Sequence, residues 1–310
     1  MKPDASALTI AIPGTCGELV QGWSDDWDEA VLVSCPIDLY SYITVELCPA
    51  PHIFSPNHTT DYTKLRQAVR LILDYLNRPD LGAVIRPSSQ LDRGRGMASS
   101  TADIVGVTVG LALALGHSIS PGELAQLACR IEPSDSTMFA YLTRLAYRGS
   151  ARYQELGPVP ALPLLMLDTG EAVDTLTYNA RLNLAGVRQL APTTRAALDL
   201  LQQGLARQEA ELIGAAASLS ALSYQAINHN PLIDQAARWA ADTGGLGVVR
   251  AHSGSVVGLL YPAGTELAEL EGWLAKRFAG SIRPTRLTRG SYLPAENQPF
   301  TPVREATAVL

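Results

Sequence analysis

Residues 92–103, D-R-G-R-G-M-A-S-S-T-A-D, combine residue types that suit the binding of a phosphate. Gly94 and Gly96 let the backbone approach a ligand closely, and three hydroxyl side chains follow at 99–101, before a long apolar run. The first turn of a helix leaves N–H groups unpaired and carries a partial positive charge, so an anion placed there gains several hydrogen bonds. The pattern predicts an anion site at a helix N-terminus, although an ordinary serine cap without a ligand has the same sequence.

The basic residues narrow the kind of anion site that is possible. Arg93 and Arg95 flank the glycines, and guanidinium groups suit phosphate. Lysine occurs only at Lys2, Lys64 and Lys276, and none has the G-K-S or G-K-T context of a Walker-type phosphate loop. That class of nucleotide site is excluded. The sequence instead predicts a site built from backbone amides, arginine and a metal ion.

Two carboxylates lie further along the chain, in E-P-S-D at 132–135. Glu132 and Asp135 come directly after a predicted helix, which makes them candidates for chemistry. The alternative is structural, because Asp135 or Ser136 could cap a new helix over 137–146. Both interpretations remain open from the residues alone.

Composition limits the class of protein. With 310 residues, of which 47% are hydrophobic and 17% charged, the chain predicts a globular protein of two domains or two fused lobes. The net charge of −6 argues against a general nucleic-acid binder, which needs a basic face. The uncharged run 104–122 is broken by glycine and proline, and its apolar part is shorter than the ~20 residues that span a bilayer.

The cysteines and the first residues bear on the compartment. Cys16, Cys35, Cys48 and Cys129 have no C-x-x-C spacing, so structural zinc is not expected. The beginning of the chain, M-K-P-D-A-S-A, has no secretion signal. We therefore expect a cytoplasmic protein with reduced, buried thiols.

Hydrophobic periodicity and the glycine and proline positions predict the elements that hold these residues. In the first half they are strands at 7–12, 30–35, 39–48 and 81–86, a helix at 63–77, a helix starting near Ile104 and a helix at 121–131. The first strand stops at Pro13, and the second leads through Pro36 to the third. In the second half they are strands within 145–168, two or three helices over 187–242, a glycine-rich loop and one strand over 243–261, a helix at 265–279 and a strand at 281–288. The stretch 157–163 is the predicted lobe boundary.

Three motifs, in this order, resemble those of the GHMP kinase superfamily. They are P-G-T-C-G-E-L at 13–19, G-R-G-M-A-S-S-T-A at 94–102 and A-H-S-G-S-V-V-G at 251–258. The resemblance covers most of the chain and implies a two-lobed α+β fold. A ribosomal-protein-S5-like lobe at 1–157 would carry the phosphate loop, and a ferredoxin-like lobe would follow at 158–310. The resemblance also implies a kinase that uses ATP and Mg²⁺ to phosphorylate a small molecule.

Together with E-P-S-D-S at 132–136, the motifs look most like the L-threonine kinases of cobalamin biosynthesis. That resemblance implies that the side-chain hydroxyl of L-threonine is phosphorylated, giving O-phospho-L-threonine for the aminopropanol linker. The partner would be a small amino acid, with neither nucleic acid nor membrane involved. Homoserine kinase is the nearest alternative, because the two alcohols are isomers that differ only in the side-chain carbon that carries the hydroxyl. A decarboxylase of the superfamily and a catalytically silent ligand sensor are further alternatives, and the oligomeric state stays open.

The sequence departs from the family pattern in the phosphate loop. Asp92 replaces a proline, Met97 replaces a leucine, and Ala98 replaces the third glycine, so the first turn must accommodate a methyl group. Mevalonate-type members also pair the catalytic aspartate with an N-terminal lysine, and no lysine lies near Pro13. The spacing from Glu132 to Asp135 is shorter than in some relatives.

The resemblance implies a role for each candidate residue. ATP would bind along the loop, at Gly94, Arg95, Gly96, Met97, Ala98, Ser99, Ser100 and Thr101. Ser100 and Glu132 would hold Mg²⁺, since hydroxyl and carboxylate oxygens suit this hard cation. Asp135 would be the base for the substrate hydroxyl, or would only orient it. Glu18 or Asp38 would face the substrate ammonium, and His252 and Ser253 would face its carboxylate.

Overall fold

A long antiparallel hairpin, β1 (Leu8–Ser24) and β2 (Glu29–Cys48), forms the centre of the protein. The computed structural model describes residues 7–49, 51–54, 62–173 and 175–294. β1 continues past Pro13, so the expected stop there is wrong, and the two stretches expected at 30–35 and 39–48 form one strand that includes Pro36. The register of β1 against β2 shifts between Pro13 and Thr15 and again before Val20. Such bulges tolerate a residue that lacks an N–H group, and this explains the continuation past Pro13.

The other elements of the described chain agree largely with the expected ones. The first half contains β3 (Ile53–Phe54), α1 (Thr63–Tyr75), β4 (Gly82–Ser89), α2 (Ser99–Ala114), α3 (Pro121–Ile131), β5 (Leu142–Leu145) and β6 (Tyr153–Gly157). The second half contains β7 (Pro163–Asp168), α4 (Thr175–Arg181), α5 (Leu184–Gln189), α6 (Ala191–Arg207), α7 (Ala210–Ser223), α8 (Pro231–Asp242), β8 (Gly247–Arg250), β9 (Val257–Leu260), α9 (Leu267–Ala275), β10 (Ser281–Arg286) and β11 (Leu293–Pro294). A single 3-10 turn, Tyr224–Ala226, follows α7.

Three expectations about these elements are wrong. The stretch 137–146 is not a helix but a turn followed by β5, which pairs with β2 and β6. Four helices rather than two or three occupy 184–242. The glycine-rich stretch 243–261 contains two antiparallel strands, β8 and β9, with a tight loop between them. In the first and third cases, pairing of short apolar segments with distant or neighbouring strands overrides the local pattern.

One sheet joins both halves of the chain. Its main order is β10-β7-β9-β8-β1-β2-β4-β3, and β11 pairs with β1 while β5 and β6 extend from β2. β1 therefore lies between strands of the first half and strands of the second half. Of two clusters of buried apolar residues, the larger combines residues of both halves and the smaller belongs to the second half. The lobe boundary at 157 stays a prediction.

Helix α2 is buried against the central hairpin. It is apolar on all sides, as expected of a helix inside a protein. Gly106 and Gly110 face Ile43 and Val45 of β2, and a Cβ on either glycine would lie 2.6–2.7 Å from those side chains. The two glycines therefore let α2 lie close to the sheet and fix the position of its first turn. None of the helices in the described residues is both long and apolar enough to cross a membrane.

Candidate active site

The three sequence motifs meet in space and hold the phosphate loop by its carbonyl groups. The N–H of Thr15 donates to the carbonyl of Met97 at 3.1 Å, and the N–H of Gly17 donates to that of Gly96 at 3.3 Å. From the β8–β9 loop, the N–H groups of residues 255 and 256 both donate to the carbonyl of Arg95 at 3.0 Å. Because its carbonyls are engaged by motifs on either side, the loop has a fixed course into α2.

The first turn of α2 offers unpaired N–H groups to the cavity. Ala98 is the N-cap and has a left-handed backbone with φ of 56°. The N–H groups of residues 99–101 have no acceptor in the part of the chain that the structure describes, as is normal for the start of a helix. These amides and the helix dipole make an anion site where the sequence predicts one.

Gly96 is required by the close packing of the loop. Its φ is 86°, and a Cβ would lie 2.3 Å from the Cβ of Ala251. Gly254 has the same restriction from the other side, since its Cβ would lie 2.3 Å from the carbonyl carbon of Arg95. The glycines therefore serve the contact between two motifs, in addition to any approach of a ligand.

A cavity of about 250 Å³ lies in front of this helix turn. Its walls include Gly94, residues 96–101, Glu18, Lys64, Glu132, Asp135, His252 and Ser253. Pockets for drug-sized ligands are typically about 300–1,000 Å³, so this volume suits a small acceptor beside the end of a polyphosphate. The structure thus brings most of the predicted site residues together.

Asp135 is positioned by the first turn of α2. The Thr101 hydroxyl donates to Oδ2 of Asp135 at 3.1 Å, and the N–H of Asp135 donates back to that hydroxyl at 3.2 Å. Burial raises the pKa of Asp135, while hydrogen bonds from Glu18 and Thr101 work in the opposite direction. The Asp135 carboxylate therefore contacts the first turn of α2 directly, through Thr101.

Glu18 and Asp135 form a buried pair of carboxyl groups. Burial, the charge of Asp135 and a hydrogen bond with Asp135 raise the pKa of Glu18 well above its ordinary value. Oε2 of Glu18 has no donor among the described residues. A proton shared between the two carboxyls would relieve their repulsion, since two like charges in one buried site disfavour full ionisation.

Glu132 is the carboxylate nearest to being a metal ligand. It follows α3 at its C-cap, and its side chain is 1% exposed. Oε2 lies 2.6 Å from Nζ of Lys64, while Oε1 is buried without a donor in the described chain. Together with the Ser100 hydroxyl in the same cavity, Oε1 fits a hard cation such as Mg²⁺, which takes one or two carboxylates and completes its shell with phosphates and water.

Both arginines beside the loop are paired with buried aspartates. Arg93 lines the cavity, but its guanidinium lies 2.7 Å from Asp103, a buried residue of α2. Arg95 does not line the cavity; its side chain turns to Asp168 of β7, with Nε 3.8 Å from Oδ2. The Arg95 side chain is thus directed away from the cavity, and a contact of Arg95 with ATP stays a prediction.

Comparison with known proteins identifies the family. The model of the GHMP kinases N terminal domain matches residues 63–142. A relative from Salmonella typhimurium, named L-threonine kinase, is 33% identical over 271 residues, which are 86% of this chain and 87% of the relative. A protein of the same name from Citrobacter freundii is 34% identical over 252 residues, 80% of this chain and 84% of its own. The chain belongs to the GHMP kinase superfamily.

A solved structure agrees with this assignment at the level of the fold. A Lactococcus lactis galactokinase, solved with galactose, has a TM-score of 0.71 at 12% identity, covering 94% of this chain and 95% of its own. The α+β GHMP kinase fold is therefore confirmed. As a GHMP kinase, the protein is an ATP-dependent phosphotransferase, in a family whose members use ATP and Mg²⁺.

The structure contradicts two of the substrate contacts expected of this GHMP kinase, those of His252 and Asp38. Both ring nitrogens of His252 are engaged, with Nε2 3.0 Å from the Tyr147 hydroxyl and Nδ1 3.0 Å from Oε1 of Gln21. Burial lowers the pKa of His252 to about 3, so the ring is neutral at neutral pH. Because Oε1 only accepts, Nδ1 carries the proton and Nε2 accepts from Tyr147. No ring N–H remains for a substrate carboxylate.

Asp38 is the other changed contact. It lies on β2 outside the cavity, where it accepts a hydrogen bond from the Thr285 hydroxyl. Its second oxygen is 2.9 Å from Nε of Arg286. The structure thus uses Asp38 to attach β10 to β2 and leaves Glu18 as the acidic candidate for the ammonium. Ser253 lines the cavity, and its contact with a substrate carboxylate stays a prediction.

Sequence reasoning missed several residues of the GHMP kinase cavity. Lys64 corrects the prediction of a site without lysine, because it pairs with Glu132. Tyr147 and Asn179 also line the cavity, and Gln21 holds His252. Lys64 is the second residue of the predicted helix at 63–77, and this is the one local signal that could have placed it. The others depend on contacts between distant parts of the chain.

Proposed function

We propose that this GHMP kinase transfers the γ-phosphoryl group of ATP to the side-chain hydroxyl of L-threonine. The product would be O-phospho-L-threonine, which would serve the aminopropanol linker of cobalamin. The observation that carries the proposal is the position of Asp135, which is hydrogen-bonded to Thr101 in the phosphate-binding turn. A hydroxyl that donates to Asp135 lies beside the phosphate site. The two relatives named L-threonine kinase support the choice of acceptor.

The chain's own groups divide the work of phosphoryl transfer. The amides of residues 99–101 bind the polyphosphate, and Ser100 and Glu132 hold Mg²⁺, which neutralises charge on the phosphoryl oxygens when bound. Asp135 accepts the hydrogen bond of the substrate hydroxyl and takes its proton as the new O–P bond forms and the bond to ADP breaks. Positioning and charge neutralisation supply most of the rate in such reactions, so the base contributes a smaller share.

Glu18 and Ser253 are the proposed contacts for the amino-acid part of the substrate. Glu18 lies next to Asp135, so an ammonium group beside it would stabilise the negative charge of the pair and favour loss of the shared proton. Ser253 lies in the same cavity and would face the carboxylate. Tyr147, held by His252, closes this end of the cavity. An acceptor with both ammonium and carboxylate groups fits these surroundings better than a sugar does.

The acceptor is tested by ADP release from the purified protein. The panel is L-threonine, L-serine, L-homoserine, mevalonate and pantoate, each with ATP and Mg²⁺. L-threonine should give the highest kcat/KM, with a preference over L-serine of about 10-fold or more for the single methyl group. A higher kcat/KM with L-homoserine would replace the proposed acceptor. Release of carbon dioxide would indicate a decarboxylase, and the absence of turnover with ATP bound would indicate a ligand sensor.

The role of Asp135 is tested by Asp135→Asn. We expect kcat to fall by about 10²–10⁴-fold, because the amide cannot accept the proton, while the affinity for ATP stays within about 2-fold of wild type. Asp92→Asn is the matched control, since Asp92 is exposed and pairs with Arg283 outside the cavity. Undiminished turnover in the Asp135 variant would remove this residue from the mechanism.

A further inference from the structure

Lys64 occupies a position that neither the phosphate loop nor the proposed reaction has yet used. Its ammonium lies 2.6 Å from Oε2 of Glu132, and both residues line the cavity. The Glu132 side chain is almost fully buried, whereas that of Lys64 is 29% exposed. A buried carboxylate requires a counter-charge, and Lys64 supplies it in the cavity without ligands.

The same carboxylate cannot keep this partner when a divalent cation binds. Glu132 is the proposed Mg²⁺ ligand, and Oε1 is the oxygen that has no donor within the described chain. An ammonium on Oε2 and a divalent cation on Oε1 would lie close together and repel each other across a carboxylate that is almost fully buried. Binding of the cation should therefore weaken the bond between Lys64 and Glu132.

The proposed polyphosphate would be a second negatively charged partner for Lys64 in the same cavity. Lys64 is the second residue of α1, and α1 packs against both α2 and α3. Its flexible four-carbon stem starts beside the cavity that the first turn of α2 borders, where the polyphosphate is proposed to bind. Of the three lysines, Lys276 lies exposed at the end of α9, and Lys2 falls outside the described residues.

We propose that Lys64 is a phosphate-binding residue that Glu132 holds in place until nucleotide and divalent cation enter. When the cation takes Glu132, the ammonium of Lys64 leaves the carboxylate and binds the polyphosphate. The pair thus exchanges partners, so that neither charge is left buried and alone. This inference rests on the proposed ATP and Mg²⁺ site, and it assigns to the chain a phosphate-binding lysine outside any Walker motif.

The exchange predicts that removing the charge of Lys64 raises the affinity for the metal ion and lowers the affinity for the nucleotide. Lys64→Met keeps most of the stem, so Glu132 becomes free for the metal, and Mn²⁺ alone should bind roughly 5-fold more tightly than to wild type. The affinity for the non-hydrolysable analogue AMP-PNP with Mg²⁺ should fall by about 10-fold or more, the loss expected for one charged hydrogen bond. Lys64→Arg should keep part of the nucleotide affinity.

Both affinities are measured without any acceptor, Mn²⁺ by electron paramagnetic resonance and the nucleotide by calorimetry. Lys276→Met is the matched control and should change neither. Thermal unfolding with and without Mn²⁺ checks that Lys64→Met folds and reports metal binding a second way. Parallel loss of both affinities would show that Lys64 only supports the structure. An unchanged nucleotide affinity would show that it does not bind phosphate. Either result overturns the inference.

The Lys64 experiment and the acceptor assay can refute their proposals independently of each other. If wild type binds AMP-PNP and shows the opposite shifts in Lys64→Met but does not phosphorylate L-threonine, the acceptor is wrong and the role of Lys64 stands. If L-threonine is phosphorylated and Lys64→Met binds nucleotide as wild type does, only the role of Lys64 is wrong. A wild-type protein that binds no nucleotide refutes both.

Discussion

At the scale of single residues, the site depends on how buried charges compensate one another. Glu18 and Asp135 are neighbouring buried carboxyl groups, and Glu132 depends on Lys64 for its counter-charge. An isolated buried carboxylate would be costly, so each acidic group has a proton or a cation as partner. A substrate ammonium or a metal ion can replace the proton or the lysine, whereas the side chains of an apolar core have no such substitute.

The proton on Glu18 predicts a change of stability with pH. The raised pKa of Glu18 means that its stabilising contribution is complete below the pKa of the unfolded chain and is lost as pH rises through the folded pKa. Glu18→Gln keeps a neutral donor to Asp135 at every pH. Urea unfolding should therefore show a smaller loss of unfolding free energy between pH 5.5 and 8 in the variant, by on the order of 1 kcal/mol.

The control for this variant is Glu171→Gln, which changes an exposed loop residue. Its pH profile should follow that of wild type. If Glu18→Gln lost stability with pH as steeply as wild type does, Glu18 would not carry the proton of the pair.

Residue types could be predicted from the sequence more readily than their partners. The phosphate loop, Glu132 and Asp135 stood out because local spacing and motif resemblance mark them. The contact of Lys64 with Glu132 could not be read, because 68 residues separate them. His252 was misread for a related reason, since only the fold shows that Tyr147 and Gln21 occupy its nitrogens.

At the scale of elements, the loop before α2 carries a conformational cost at one residue. Ala98 has φ of 56° at the N-cap, where the family pattern has glycine. A residue with a Cβ in this region is strained by about 1–2 kcal/mol, while a glycine gives back about 0.4–1 kcal/mol through the freedom of the unfolded chain. The first turn thus accommodates the methyl group of Ala98, as the sequence requires, because this alanine adopts a left-handed backbone conformation.

We predict that Ala98→Gly leaves the protein as stable as wild type or more stable, by about 0.5 kcal/mol. Ala114→Gly, at the end of the same helix, is the matched control and should lose about 0.5–1 kcal/mol. Gly96→Ala should lose more than about 2 kcal/mol, because its φ of 86° and the 2.3 Å approach to Ala251 both oppose a Cβ. Urea unfolding measures all three. A loss of 1 kcal/mol or more in Ala98→Gly would show that its methyl group is needed for packing.

Elements with strong local signals were predicted well, and those set by long-range pairing were not. The helices α1 and α3 begin where expected, α3 with a capping box formed by Ser120 and Glu123. The strands β1 and β2 continue past their prolines, because bulges and the opposite strand decide their length. The stretch 137–146 became a strand because β2 offers it an edge. Such pairings lie outside any local window.

At the scale of the whole molecule, the two predicted lobes share one sheet and much of one core. β1 has β2 on one side and β8 on the other, so strands from both halves meet at it. Buried residues of the second half, such as Leu164, Leu201 and Val249, belong to the same cluster as Ile12 of β1. Separate lobes with separate cores would unfold separately, whereas a shared core couples them.

We therefore predict a single cooperative unfolding transition, although chains of this length often unfold in steps. Tryptophans report on both halves, with Trp23 and Trp27 in the first and Trp239 and Trp273 in the second. In urea, a Trp239→Phe, Trp273→Phe double variant and a Trp23→Phe, Trp27→Phe double variant should give midpoints that coincide with each other and with circular dichroism. Residues 1–157 expressed alone should show no cooperative transition, because β1 would lose β8 and the core would lose the apolar side chains of α6 and α7. Two separate midpoints would mean that the boundary at 157 divides independent domains, and the active site between the motifs would then form only when they associate.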